Sequence, residues 1–186
     1  MFFYCSNLTT VPNFDTSNVN SMYSMFSGCN NLTTVPNFNT INVVNMTRLF
    51  ENCSSLTTVP NFDTSNVTNM QGMFTLCSNL TTVPNFDTSN LSDIHFIFNG
   101  CGNLVDVPCF NTSNIKSMRQ MFKSCNNLSD ASIQNIINMC LNSNITTKTY
   151  MNLRNTNGSG PFNFTNIANT RYQNRWAELD AAGWNY

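Results

Sequence analysis

His95 is the only histidine in this 186-residue chain, so it is the first residue to test for catalysis. A general acid or base needs convergent partners around it. His95 sits in a slot that neighbouring copies of a repeat fill with Tyr23, Thr47, Gln71 and Arg119. A slot open to such different chemistry reads as exposed and non-catalytic. Glu51 and Glu178 are the only glutamates. No Gly-rich phosphate loop, His-Glu-x-x-His or Cys-x-x-Cys occurs. The expectation is a protein that is not an enzyme and uses no cofactor or metal.

Cysteine offers the next chemistry. Cys5, Cys29, Cys53, Cys77, Cys101 and Cys125 stand 24 residues apart. Zinc sites gather mixed ligands at short spacing, whereas these come one per copy. A disulfide needs converging side chains, and in-phase side chains point the same way. The column therefore reads as reduced thiols packed in a core as small hydrophobes. Cys109 and Cys140 lie off it, and the spacing leaves open whether they pair.

Asp15, Asp63 and Asp87 share a slot with Asn39 and Asn111. A calcium ladder wants charge at each step. A cap needs only an oxygen acceptor, so capping is the reading. Asn18, Asn42, Asn66, Asn90 and Asn114 read as backbone bonding in the turn. Lys116, Arg119 and Lys123 would line one helix face, but three charges are too few for a nucleic-acid footprint.

These residues must be positioned by a 24-residue repeat. Leu8, Leu32, Leu56, Leu80, Leu104 and Leu128 keep its phase, as do Phe26, Phe50, Phe74, Phe98 and Phe122. Within the copy 61–84, Val67, Met70, Met73, Phe74 and Cys77 are spaced 3, 3, 1 and 3, which predicts a short helix. Leu80-Thr81-Thr82-Val83 predicts a short strand that Pro84 stops. One copy cannot bury its own apolar face, whereas stacked copies can. The expected fold is an α/β solenoid: a leucine-rich-repeat-like, right-handed stack of short parallel strands and short helices over residues 1–128.

After Leu128 the pattern changes, and residues 129–186 are expected to form an α-rich C-terminal cap. Ser129-Asp130 should open a helix with Ile133, Ile136, Ile137, Cys140 and Leu141 on one face. Residues Thr146–Leu153 predict a strand and Asn155–Pro161 a loop. Asn169 or Thr170 should cap a last helix carrying Tyr172, Trp176 and Leu179, with Gly183 at its C′ position and Trp184 folding back. At the other end, Met1-Phe2 is in phase with Met25-Phe26, so the chain starts inside a copy. That suggests a fragment, or an end that something else covers, and the uncapped first rung, with Phe2, Cys5, Leu8, Val11 and Phe14, is expected either to fray through about Pro12 or to associate with another molecule.

The chain is 41% hydrophobic but only 9% charged, and its net charge is −1. This balance excludes electrostatic attraction to nucleic acid or anionic lipid. No apolar run is long enough to insert in a membrane, and no secretory signal is visible. Polarity comes from uncharged residues, chiefly the 35 asparagines.

The columns Cys-x-x-Leu-x-x-Val-Pro and Asn-Phe-Asp-Thr-Ser-Asn-Val-x-x-Met-x-x-Met-Phe resemble the BspA-like leucine-rich repeats of bacterial surface proteins, in their mycoplasma-type variety. The resemblance covers residues 1–128. It implies a recognition or adhesion module at the cell surface or outside the cell, with a protein or glycan ligand. Related repeats in phage genes make a virion tail or receptor-binding part the alternative. Copies differ most at Tyr23, Arg48, Gln71, His95, Phe96 and Arg119, which are the candidate partner contacts.

Overall fold

The computed structural model describes residues 1–145 and 173–183. Successive copies are joined by hydrogen bonds between residues one repeat apart. In the stretch expected to be helical, alternate amides reach the next copy: Met46 N donates to Asn69 O (2.8 Å), Arg48 N to Gln71 O (3.0 Å), Phe50 N to Met73 O (2.9 Å) and Asn52 N to Thr75 O (2.7 Å). The amides between them close turns three residues back, Leu49 N to Met46 O and Cys53 N to Phe50 O.

The predicted short helix is therefore a run of turns. An α-helix would send every amide to the carbonyl four residues back within the same segment. Here the run is broken twice per copy by left-handed residues. Ser24, Arg48, Phe96 and Gln120 occupy one such column with φ of 49 to 60°, and Tyr4, Asn52, Leu76 and Ser124 another with φ of 56 to 62°. Left-handed backbone disfavours side chains with a Cβ, and the bonds between copies offset that cost. The spacing of 3, 3, 1 and 3 still marks the inward face, because turns of three residues keep nearly the helical period. Val67, Met70, Met73, Phe74 and Cys77 are all buried.

The Leu-Thr-Thr-Val segment is thinner than a strand. Thr81 N donates to Thr57 O (3.1 Å) and Val105 N to Thr81 O (2.9 Å), and one isolated parallel bridge joins Thr82 to Asp106. Proline supplies no N–H to extend the ladder. The chain then reverses at once, as Phe62 N donates to Pro60 O (3.0 Å) across a γ-turn. The other isolated bridges, all parallel, join Ser21 to Asn45, Asn45 to Asn69 and Asp93 to Ser117 at the start of the turn run.

Polar ladders pin the corner. Thr40 Oγ1 donates to Asp63 O (2.8 Å) and Thr64 Oγ1 to Asp87 O (3.0 Å), both from buried threonines. Asn66 Nδ2 donates to Ile41 O (2.8 Å) and Asn90 Nδ2 to Ser65 O (2.6 Å), so the asparagine column bonds across copies and not only within the turn. Asp63 Oδ1 accepts from Ser65 N (3.0 Å), and Asn39 Oδ1 from Ile41 N (3.2 Å). The acceptor slot thus closes a two-residue Asx turn and caps no helix. The Ser65 hydroxyl, then its amide, holds the Asp63 carboxyl below its usual value of 3.8.

Inside, aromatic rings form a ladder. Phe26, Phe50, Phe74, Phe98 and Phe122 are fully buried, and successive centroids lie 5.5 to 5.8 Å apart with planes within 18°. Beside it, Cys53 Sγ donates to Phe26 O (3.1 Å) and Cys77 Sγ to Phe50 O (3.0 Å). Burial pushes the Cys53 and Cys125 thiols up to about 12, and Cys77 and Cys101 well above the ordinary value. No disulfide links Cys109 to Cys140 or joins any pair on the column. Cys5 departs from the expected buried column. It is exposed, on the first copy described. Of its neighbours on that rung, Val11 is buried while Phe2, Leu8 and Phe14 are half-buried.

Thiols held protonated and out of solvent react slowly, since the thiolate is the nucleophile. In native protein at pH 8, N-ethylmaleimide is expected to label Cys5 and Cys109 promptly, with the six buried cysteines labelled only after unfolding. Mass spectrometry before and after denaturant checks this. Rapid native labelling of Cys53 or Cys77 would contradict the packing.

Residues 130–142 form a helix, α1 (Asp130–Asn142), whose N-cap Ser129 accepts from Ser132 N. Ile133, Ile136, Ile137 and Cys140 are buried. The helix continues the ladders of the last copy. Ser132 Oγ donates to Val105 O (2.9 Å) and accepts from Val107 N (2.8 Å), and Thr112 Oγ1 donates to Met139 O (2.6 Å). Asn144 Nδ2 extends the asparagine ladder to Ser113 O (2.7 Å). A second helix, α2 (Gln173–Ala181), packs on α1 with Leu179 buried, and Gly183 follows with φ of 78°. The predicted strand 146–153, the loop 155–161, the cap at Asn169 or Thr170, Tyr172 and Trp184 lie outside the described residues.

Candidate functional site

The turn run sets the exposed slots at regular steps along the stack, and one glycine opens a groove there. Arg48, Gly72 and Phe96 occupy the same left-handed slot in three successive copies. At Gly72 the slot is empty. A Cβ built there would lie 3.2 Å from Thr75 Oγ1 and 3.5 Å from Arg48 Cγ. The resulting groove has a volume of about 440 Å3, within the range of small-ligand sites.

Five of the six candidate contacts, Tyr23, Arg48, Gln71, His95 and Phe96, line this groove. Arg119 does not. It is exposed one copy further on, and Lys116 and Lys123 are exposed on the same turn run, so the basic stripe belongs to no helix. Tyr23 is 56% exposed at one end. Arg48 Nε lies 3.9 Å from Glu51 Oε1, an exposed pair worth little to stability but enough to leave the groove without a lone charge.

His95 is half-buried, contrary to the exposed position expected. Its Nδ1 lies 2.8 Å from Asp93 Oδ2, which also accepts from Gln71 Nε2 (3.0 Å), and its ring meets Phe96 edge-on with centroids 4.9 Å apart. Asp93 fills a slot held elsewhere by Ser21, Asn45, Asn69 and Ser117. Asn45 Oδ1 accepts from Thr47 N (2.9 Å) and Asn69 Oδ1 from Gln71 N (3.1 Å). Each spends its oxygen on its own turn and keeps its amide donors. Thr47 Oγ1, on the groove wall, is buried without a hydrogen-bond partner.

Asn45, Thr47, Glu51, Asn69, Thr75 and Asn99 also line the groove and were not singled out by variability. Their signal in the sequence is adjacency: each lies within three residues of a variable slot. Gly72 carries a stronger one, as the single glycine in its column.

Repeated ladders, a core of identical columns and one interrupted surface define a repeat protein. Family matching agrees: one family model matches residues 1–80 and again 53–159. The chain belongs to this family, described as "Mycoplasma protein of unknown function, DUF285". No curated protein and no solved structure matches it. Among the described residues, no helix is long and apolar enough to cross a membrane.

Proposed function

We propose that this chain is a non-catalytic recognition and adhesion module of a bacterial surface or extracellular protein, a solenoid of the BspA-like leucine-rich-repeat type that holds its partner in the groove around Gly72. The observation behind this reading is convergence. Five of the six positions at which copies differ most meet in one groove, while the Leu-Thr-Thr-Val segment repeats exposed threonines nearly unchanged from copy to copy. Selective contact needs distinctive chemistry placed together.

Arg48→Ala and Phe96→Ala change side chains at the mouth without touching the buried columns. Binding of the labelled full-length chain to cultured epithelial cells and to extracellular matrix is expected to fall about fivefold or more in each. Thr58→Ala, on the uniform side, should leave it unchanged. Equal binding by all four proteins would remove the groove from the proposal.

A further inference from the structure

We infer, resting on the groove reading above, that the groove binds an uncharged saccharide of two or three sugar units. Its chemistry is mixed in a specific way. Two aromatic side chains, Tyr23 and Phe96, come from the first and last copies that line it, Asn45, Asn69 and Gln71 come from the copies between, and Asn99 from the same copy as Phe96. A pyranose presents an apolar C–H face, which suits an aromatic ring. Its hydroxyls both donate and accept, as amides do.

Other ligand classes fit less well. An anion would compete with Glu51 for Arg48, and a cation with Arg48 for Glu51, because the two already face each other at 3.9 Å. An apolar ligand would leave the amides unmatched, which is costly when water is displaced. A peptide added as a strand needs free backbone groups. Here Arg48 N is used by Gln71 O (3.0 Å) and Gly72 N by His95 O (3.1 Å). From the Tyr23 slot to the His95 slot is three copy-to-copy steps, roughly 14 Å at the parallel spacing of about 4.8 Å. That is the length of a short oligosaccharide.

The column itself supplies the test. Gln120 occupies the Gly72 slot of another copy with φ of 53°, so glutamine is compatible with that backbone. Gly72→Gln should fill the groove, and Phe96→Gln should remove an aromatic wall, each with the stack intact. Saturation-transfer NMR on the full chain would use N,N′-diacetylchitobiose, lactose and maltotriose, with 3′-sialyllactose and a neutral tetrapeptide as comparators. At least one neutral saccharide is expected to bind, about tenfold or more weaker in both variants, with amide spectra otherwise preserved. Absence of binding by all three neutral saccharides, or binding unchanged in both variants, overturns the inference. If Gly72→Gln abolishes cell binding while neutral saccharides neither bind nor compete, the saccharide class is wrong and the groove stands. If cell binding survives Gly72→Gln, the groove itself is wrong.

Discussion

Replacing Phe74 by alanine is expected to lower the unfolding free energy by about 3–5 kcal/mol, the range for emptying a packed aromatic site. Phe74 lies between Phe50 and Phe98, both with centroids 5.8 Å away, and against Phe86 at 6.2 Å. Its neighbours cannot close on the vacancy, because the backbone holds the copies apart. Phe50 N donates to Met73 O and Phe74 N to Ile97 O, both at 2.9 Å. The lost ring contacts, about 0.5–1.5 kcal/mol each, are part of that total and place it toward the upper end. Against a typical total of about 5–15 kcal/mol, this loss should uncouple the two halves of the stack, since a repeat array is held by nearest-neighbour contacts. Phe2→Ala should cost less than half as much, because that ring stacks on Phe26 alone within its ladder and is half-buried. Chemical denaturation followed by NMR decides. A loss below about 1 kcal/mol at Phe74 would show that the ladder is not a main source of stability.

The inward-facing residues were legible from spacing; the hydrogen bonds that place them were not. Met70, Met73, Phe74 and Cys77 would face the core in a helix or in a run of turns, and the two differ only in where the amides go. Gly72 is a visible breaker, but Arg48, Phe96 and Leu76 adopt the same left-handed backbone with residue types that ordinarily avoid it. Only the neighbouring copy makes that conformation tolerable, and single-segment periodicity contains no neighbour. The Leu-Thr-Thr-Val segment was over-read for a similar reason. Its composition suits a strand, yet Pro84 and the γ-turn at Phe86 end it before a ladder can form. At the groove, variability marked five of the slots that line it but could not tell which ones a missing side chain would join. Gly72 connects Arg48 to Phe96, while Arg119 lies one copy beyond the opening. His95 was misjudged because its slot looked tolerant. The slot is buried at Thr47 and half-buried at Gln71 as well, and Asp93, two residues away, holds the His95 ring there.

Excising residues 61–84 is expected to leave a folded, shorter chain that has lost its ligand. Pro60 would run into Asn85, which begins an equivalent copy. Every ladder then finds the same partner one copy later. Thr40 Oγ1 would meet Asp87 O in place of Asp63 O, Arg48 N would meet His95 O in place of Gln71 O, and Phe50 would stack on Phe98. The stability lost should be about one copy and one interface. Excising only 61–72 removes half a copy, sets turn-run amides against the wrong carbonyls and should break the stack at that point. Hydrogen exchange at the Phe50 amide distinguishes the two, protected after the longer deletion and open after the shorter. The same experiment separates architecture from recognition. Removing 61–84 also removes Gly72 and places Arg48 directly beside Phe96, so the groove closes while the fold survives. Removing 13–36 keeps Arg48, Gly72 and Phe96 in succession and deletes only Tyr23 from the lining, so binding should weaken but persist. Unfolding of the 61–84 deletion would mean that the copies are not interchangeable. A folded 61–84 deletion that still binds its partner would place the contact surface elsewhere on the stack.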